Sequence, residues 1–153
     1  MIIATVNHAD EKVICTFLVH IDRPNNAAKE FSKVALKNTT REAEMWANSE
    51  FKKFLQKEIK SFLNQRSIAL KQVGQINLAF EQRINSLKRI AEQPTLTGVC
   101  QFIVKHQTEL RILVPSQHSN QHYWAFEIEA LISAAHSFVM YNKSIIEKFQ
   151  SIN

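Results

Sequence analysis

Six histidines and two cysteines carry most of this 153-residue chain's capacity for metal or nucleophilic chemistry. His118 and His122 stand four residues apart at the expected entry to a helix, a spacing that lets two imidazoles share a metal ion. Tetrahedral zinc needs more ligands than these. Glu127 and Glu129 do not share their face and no Cys is near in sequence, so no metal site is expected. Cys15 and Cys100 are too few for a disulfide framework and neither lies in a C-x-x-C. Both fall on expected inward strand faces and read as buried free thiols. Pairing either with His8, His20, His106 or His136 gives a nucleophile–base combination in name only, because nothing marks an oxyanion hole.

Composition excludes several catalytic classes. There are two Gly, where average usage gives about eleven in a chain of this length. That scarcity rules out a phosphate-cradling loop, a dinucleotide fingerprint and a G-x-S-x-G elbow. With Asp only at Asp10 and Asp22, carboxylate-held Mg²⁺ and an EF-hand are poor fits. Arg111 and His118 have the R-x4-6-H spacing of HEPN ribonucleases. That match is rejected, because Ile112 replaces the usual polar residue, Pro115 intervenes and Arg111 falls in an expected strand. The expectation is a non-enzymatic protein with no cofactor.

Charge is unevenly distributed. Lys52, Lys53, Lys57, Lys60, Arg66, Lys71, Arg83, Lys88 and Arg89 are opposed between residues 51 and 89 only by Glu58 and Glu81, a net +7 where the whole chain carries +5. On a helix, Lys53, Lys57 and Lys60 cluster within about 60° of arc, nearly opposite Leu55, Ile59 and Phe62. Such a ridge either solvates the outer face of an amphipathic helix or tracks phosphates. In the second case Lys53, Lys57, Lys60, Lys71, Lys88 and Arg89 are the expected nucleic-acid contacts.

The elements that position these residues follow from apolar periodicity. Residues 2–21 alternate as a β-hairpin; with Val6 opposite Val13, one face gathers Ile2, Ala4, Val6, Val13, Cys15, Phe17, Val19 and Ile21. The other face still carries Ile3, Ile14 and Leu18, too apolar to be fully wet. A short helix is expected over 27–37. Thr39 to Glu42 has the form of a capping box. From residue 40 to residue 93 a stripe of Leu55, Ile59, Phe62, Ala69, Val73, Ile76, Phe80, Leu87 and Ile90 stays in helical phase. One helix of about 80 Å is the favoured reading, and a helical hairpin turning near residues 64–67 is the competitor. Alternation over 96–114 gives a second hairpin with Lys105 facing Glu109, and a final helix is expected over 121–150.

These elements form a single α+β domain spanning residues 1–153. Two β-hairpins make a small antiparallel sheet, packed with one very long or hairpin-broken amphipathic helix and a long C-terminal helix. A continuous 80 Å stripe cannot be buried within 17.7 kDa, so a homodimer is expected. Phe62, Val73, Ile76, Phe80, Leu87 and Asn142 are then the oligomer or partner interface. Arg66, Arg83 and Asn142 interrupt the apolar stripes, either as register devices or as snorkelling or solvent-facing positions. The expected function is a protein-interaction module (adaptor, assembly factor or inhibitor) that self-associates through its helices; the alternative is nucleic-acid binding through the basic face. With no signal peptide and no membrane span, a cytoplasmic protein that does not engage a membrane is expected.

Overall fold

The structure, a computed structural model, describes residues 2–22, 28–74, 77–114, 122–141 and 146–148. Strands β1 (Ile2–Ala9) and β2 (Lys12–Asp22) form the expected hairpin. Its turn is the pair Asp10 and Glu11, with φ of 48° and 64°. This left-handed pair matches the twist of the flanking strands. The tight turn draws the register two residues from expectation: His8, not Val6, faces Val13, and Val6 faces Cys15. Because side chains alternate with period two, the core face is unchanged. Ala4, Val6, Val13, Cys15, Phe17, Val19 and Ile21 are all buried.

The helix expected over 27–37 is replaced by strand β3 (Ala28–Lys37), which pairs with β2 without interruption from Val13↔Lys37 to Asp22↔Ala28. Its Ala, Lys, Glu and Leu favour a helix locally, but cross-strand pairing and burial decide strand formation. Helix α1 (Thr40–Gln72) then crosses the inner face of the sheet. The first half of its capping box forms, Glu42 N donating to Thr39 Oγ1 at 3.1 Å, while Glu42 Oε2 reaches one residue further back and accepts from Asn38 N at 3.2 Å. Ala43, Ala47, Phe51, Phe54, Leu55, Ile59, Phe62 and Leu63 enter the core.

The continuous helix over 40–93 is also corrected. The break falls at Gly74, in the left-handed region with φ of 68°, rather than at residues 64–67. Gly74 N donates to Lys71 O at 3.1 Å, closing the helix end as glycine does where a side chain is strained. Asn77 then caps α2 (Leu78–Leu87), accepting from Phe80 N at 3.0 Å, and a 3₁₀ turn follows over Lys88–Glu92. The returning segment is tied to α1 by side chains. Gln56 Nε2 donates to Ile90 O at 3.2 Å and Gln93 O at 3.0 Å, and Lys52 Nζ donates to Pro94 O at 3.1 Å.

No second hairpin forms over 96–114. The segment is helical, as α3 (Leu96–Lys105) and α4 (Gln107–Ile112). Thr95 starts α3 by accepting from Gly98 N at 3.0 Å. A Cβ on Gly98 would lie 3.1 Å from Thr95 Oγ1, so the cap needs a small residue there. Leu96, Val99, Cys100 and Ile103 are buried at the i, i+3, i+4, i+7 spacing of a helix. Glu109 bonds His106 at 3.2 Å, in place of a cross-strand pair with Lys105.

Helix α5 (His122–Tyr141) is shorter than the expected 121–150, and strand β4 (Ile146–Lys148) lies parallel to β1. The sheet order is β3-β2-β1-β4, with β1, β2 and β3 antiparallel. The fold is α+β, and among the described residues no helix is long and apolar enough to cross a membrane.

Gly74→Ala separates the broken helix from a continuous one by sign. Nothing lies within 4 Å of the added Cβ, so only the backbone conformation is at stake. We expect destabilisation of about 1 kcal/mol in urea unfolding, whereas a continuous helix would gain about that much from Ala.

Candidate functional site

The inner face of β3 is unusual for a core-facing strand. Lys29, Lys33 and Lys37 alternate there with Phe31 and Ala35, opposite Ile21, Phe17, Val13, Val19 and Cys15 of β2. Two of these lysines are held by α1. Lys29 Nζ lies 2.6 Å from Glu58 Oε2, and Lys33 Nζ lies 3.1 Å from Glu50 Oε2. The two carboxylate side chains are only 13% and 10% exposed. From Glu50 to Glu58 α1 advances about 12 Å, and from Lys33 to Lys29 β3 advances about 13 Å. The two ion pairs therefore hold α1 antiparallel to β3 with matched rise. Lys53, Lys57 and Lys60 stand exposed along α1 beside this seam, with Lys53 Nζ 4.0 Å from Glu50.

The opposite face of the sheet carries a different surface. Cross-strand rows run Asn7–Ile14–Leu36, Thr5–Thr16–Val34 and Ile3–Leu18–Ser32. Val34 is 64% exposed and Leu36 is 63% exposed, while Ile3, Ile14 and Leu18 are half-buried. The apolar surplus read from Ile3, Ile14 and Leu18 thus extends onto β3. Among the described strands, β3 is an edge of the sheet, ten residues long, with no proline and unbroken pairing to β2.

The residues expected at a helical seam are dispersed. Phe62 and Leu87 are buried in the chain's own core. Phe80 is half-buried with the Arg83 guanidinium 5.9 Å from its ring centroid, and Val73 is 64% exposed. Ile76 and Asn142 lie outside the described residues. Arg66 is neither a register device nor free in solvent. Its Nε donates to Leu113 O at 2.6 Å, satisfying a carbonyl at the end of α4, and burial lowers its pKa.

Of the expected nucleic-acid contacts, the structure brings together Lys53, Lys57 and Lys60. Lys71 sits at the far end of α1, 3.6 Å from Glu81. Lys88 and Arg89 belong to the 3₁₀ turn, where Arg89 pairs with Glu92 at 3.7 Å. The break at Gly74 removes the single basic face that would have aligned Lys71 and Arg89 with Lys53, Lys57 and Lys60.

Among the described residues, chemistry-bearing groups do not converge. Among the described residues, no three His, Cys, Asp or Glu side chains are placed to hold a metal ion. His118 lies outside the described residues. An open recess of about 380 Å³ lies where His8–Val13 meet Asn38–Thr40, but Thr39 and Glu42 already occupy backbone donors there. Arg111 sits on α4 rather than a strand, and its Nε and Nη2 reach Glu129 of α5 at 2.6 and 3.1 Å. Sequence reasoning missed this pair, and missed Lys29, Lys33, Lys37, Val34 and Leu36 because 27–37 read as helix. The alternation of lysine with Phe31 and Ala35 was the signal for a strand.

Both cysteines are buried, Cys15 on β2 and Cys100 on α3 instead of a strand. Burial raises the Cys15 thiol, with the nearby Lys37 charge pulling the other way. Burial pushes Cys100 up from 9.0 to about 12. Its protonated form is favoured in the folded state, so this contribution to stability is complete below pH 9 and is lost as pH rises toward 12. We expect Cys100 to resist iodoacetamide at pH 8 until the protein unfolds. Cys100→Ala should flatten the fall in stability between pH 9 and 11, measured by urea unfolding across that range.

No protein-family model, curated protein or solved structure matches the chain.

Proposed function

We propose that this chain is a protein-interaction module whose contact surface is the β3 side of the sheet. The observation that carries this reading is the exposure of Val34 and Leu36 beside Ile14 and Leu18 on one face of an edge strand. Fully burying such a side chain contributes about 1.5–3 kcal/mol, so two of them in one contact supply a useful share of a micromolar affinity. The interface moves from the helical stripe to the sheet, because Phe62 and Leu87 are used within the chain's own core.

Nucleic-acid binding is the second reading, favoured by the exposed ridge of Lys53, Lys57 and Lys60. It is the weaker one. Lys71 and Arg89 are engaged by carboxylates, and three lysines neutralise few phosphates.

The test is affinity capture with the wild-type chain and with Val34→Lys/Leu36→Lys, followed by identification of the captured protein and reconstitution from purified components. We expect binding that survives nuclease treatment and that the double variant loses. The double variant is surface-exposed and should retain its circular dichroism. Binding that vanishes with nuclease, while the double variant binds normally, would favour the basic ridge instead.

A further inference from the structure

The β3 edge lies between two surfaces of opposite character. On the outer side are the exposed side chains of Val34 and Leu36. On the inner side are Lys29, Lys33 and Lys37, flanked along α1 by Lys53, Lys57 and Lys60. Six lysines thus line this side of the seam against Glu50 and Glu58, which the nearest lysines already engage. A strand added beside β3 alternates its side chains between these two surfaces.

Resting on the interaction reading above, we infer that β3 binds an extended segment of a partner protein that alternates apolar and acidic residues, adding it to the sheet as a further strand. Backbone groups of the β3 edge supply the ladder. The partner's apolar residues cover Val34 and Leu36, and its carboxylates face Lys33, Lys37 and the α1 ridge. Cross-strand opposite charges are favourable and like charges are not. A second copy of this chain is disfavoured as the occupant, since it brings another row of lysines and another lysine ridge to the same seam. A partner of opposite charge also gains in association rate from steering by the ridge.

The ridge makes this testable without disturbing the core. Lys57→Glu/Lys60→Glu changes two exposed side chains, neither of which holds Glu50 or Glu58. The probe is a fluorescein-labelled peptide of about eight residues alternating valine and glutamate. Its controls are a valine–lysine peptide, two glutamate peptides N-methylated on alternate residues in the two possible phases, and single-stranded oligo-dT. Anisotropy titrations with the full chain should give binding of the valine–glutamate peptide. Binding of the valine–lysine peptide, and binding by the double variant, should each be about tenfold weaker or less. One phase of N-methylation should abolish binding and the other should leave it, because a strand bonds along one edge only.

Equal binding of the acidic and basic peptides, or indifference to both methylation phases, overturns strand addition. Dimerisation of the chain that protects β3 amides from hydrogen exchange identifies a second copy as the occupant and overturns the acidic partner. Tight oligo-dT binding with no peptide binding moves the ridge to nucleic acid. If a partner is captured through Val34 and Leu36 but the peptides show no preference, the acidic-strand inference fails while the interaction reading stands.

Discussion

Phe17 sits at the middle of β2 with the rings of Phe31, Phe51 and Phe54 each 6.3 Å away in edge-to-face contact. Phe31 and Phe54 close the group at 5.9 Å, and Phe138 of α5 stacks on Phe51 at 6.4 Å. One residue thereby joins β2, β3, α1 and, through Phe51, α5. Such rings bury large apolar areas and prefer defined mutual angles, so they fix both the distance and the direction of α1 on the sheet. With α1 placed, Glu50 and Glu58 fall opposite Lys33 and Lys29, and the lysine ridge falls beside the β3 edge. The candidate surface is a consequence of aromatic packing one layer below it.

The lysines of β3 have two roles in that arrangement. Lys33 lies at the margin of the aromatic cluster, its Nζ 5.6 Å from the Phe31 ring centroid while also reaching Glu50. Inward-pointing charge on an edge strand also discourages indiscriminate pairing with other chains. A ten-residue edge with apolar Val34 and Leu36 invites association, and the lysine row restricts which strand can accept that invitation. Selectivity here comes from what the edge repels as much as from what it attracts.

The first hairpin's core face was legible because eight positions from Ile2 to Ile21 alternate strictly, and a two-residue error in register leaves the face intact. The cap at Thr39 was legible because its chemistry is local. The failures share a physical cause. β3 places three lysines among its inner-face residues and leaves Val34 and Leu36 on its outer face beside Glu30 and Ser32, against the usual pattern, and the carboxylates of the neighbouring helix account for two of those lysines. In α3, Val99, Cys100, Phe102, Ile103 and Val104 are strand-favouring types that satisfy both periods over a short window. Thr95 was the feature that resolves the ambiguity. Gly74 is compatible by residue type with a helix interior, and it is its φ of 68° that makes it a terminator. The candidate surface inherited the β3 error, so its lysines on α1 were legible and its residues on β3 were not.

Strand β4 pairs Ile146 with Ala4, Glu147 with Thr5 and Lys148 with Val6, joining positions about 140 residues apart in sequence. Closing so long a loop for three residue pairs is entropically the least rewarded step in the sheet. During synthesis, when the N-terminal part leaves the ribosome first, β1, β2, β3 and α1 exist well before β4. For that interval the nascent sheet presents two open edges, β1 as well as β3, and they differ in charge: β1 carries no lysine, whereas β3 carries three. The unguarded β1 edge is thus the more vulnerable to misassembly on the ribosome, and β4 is the element that retires it.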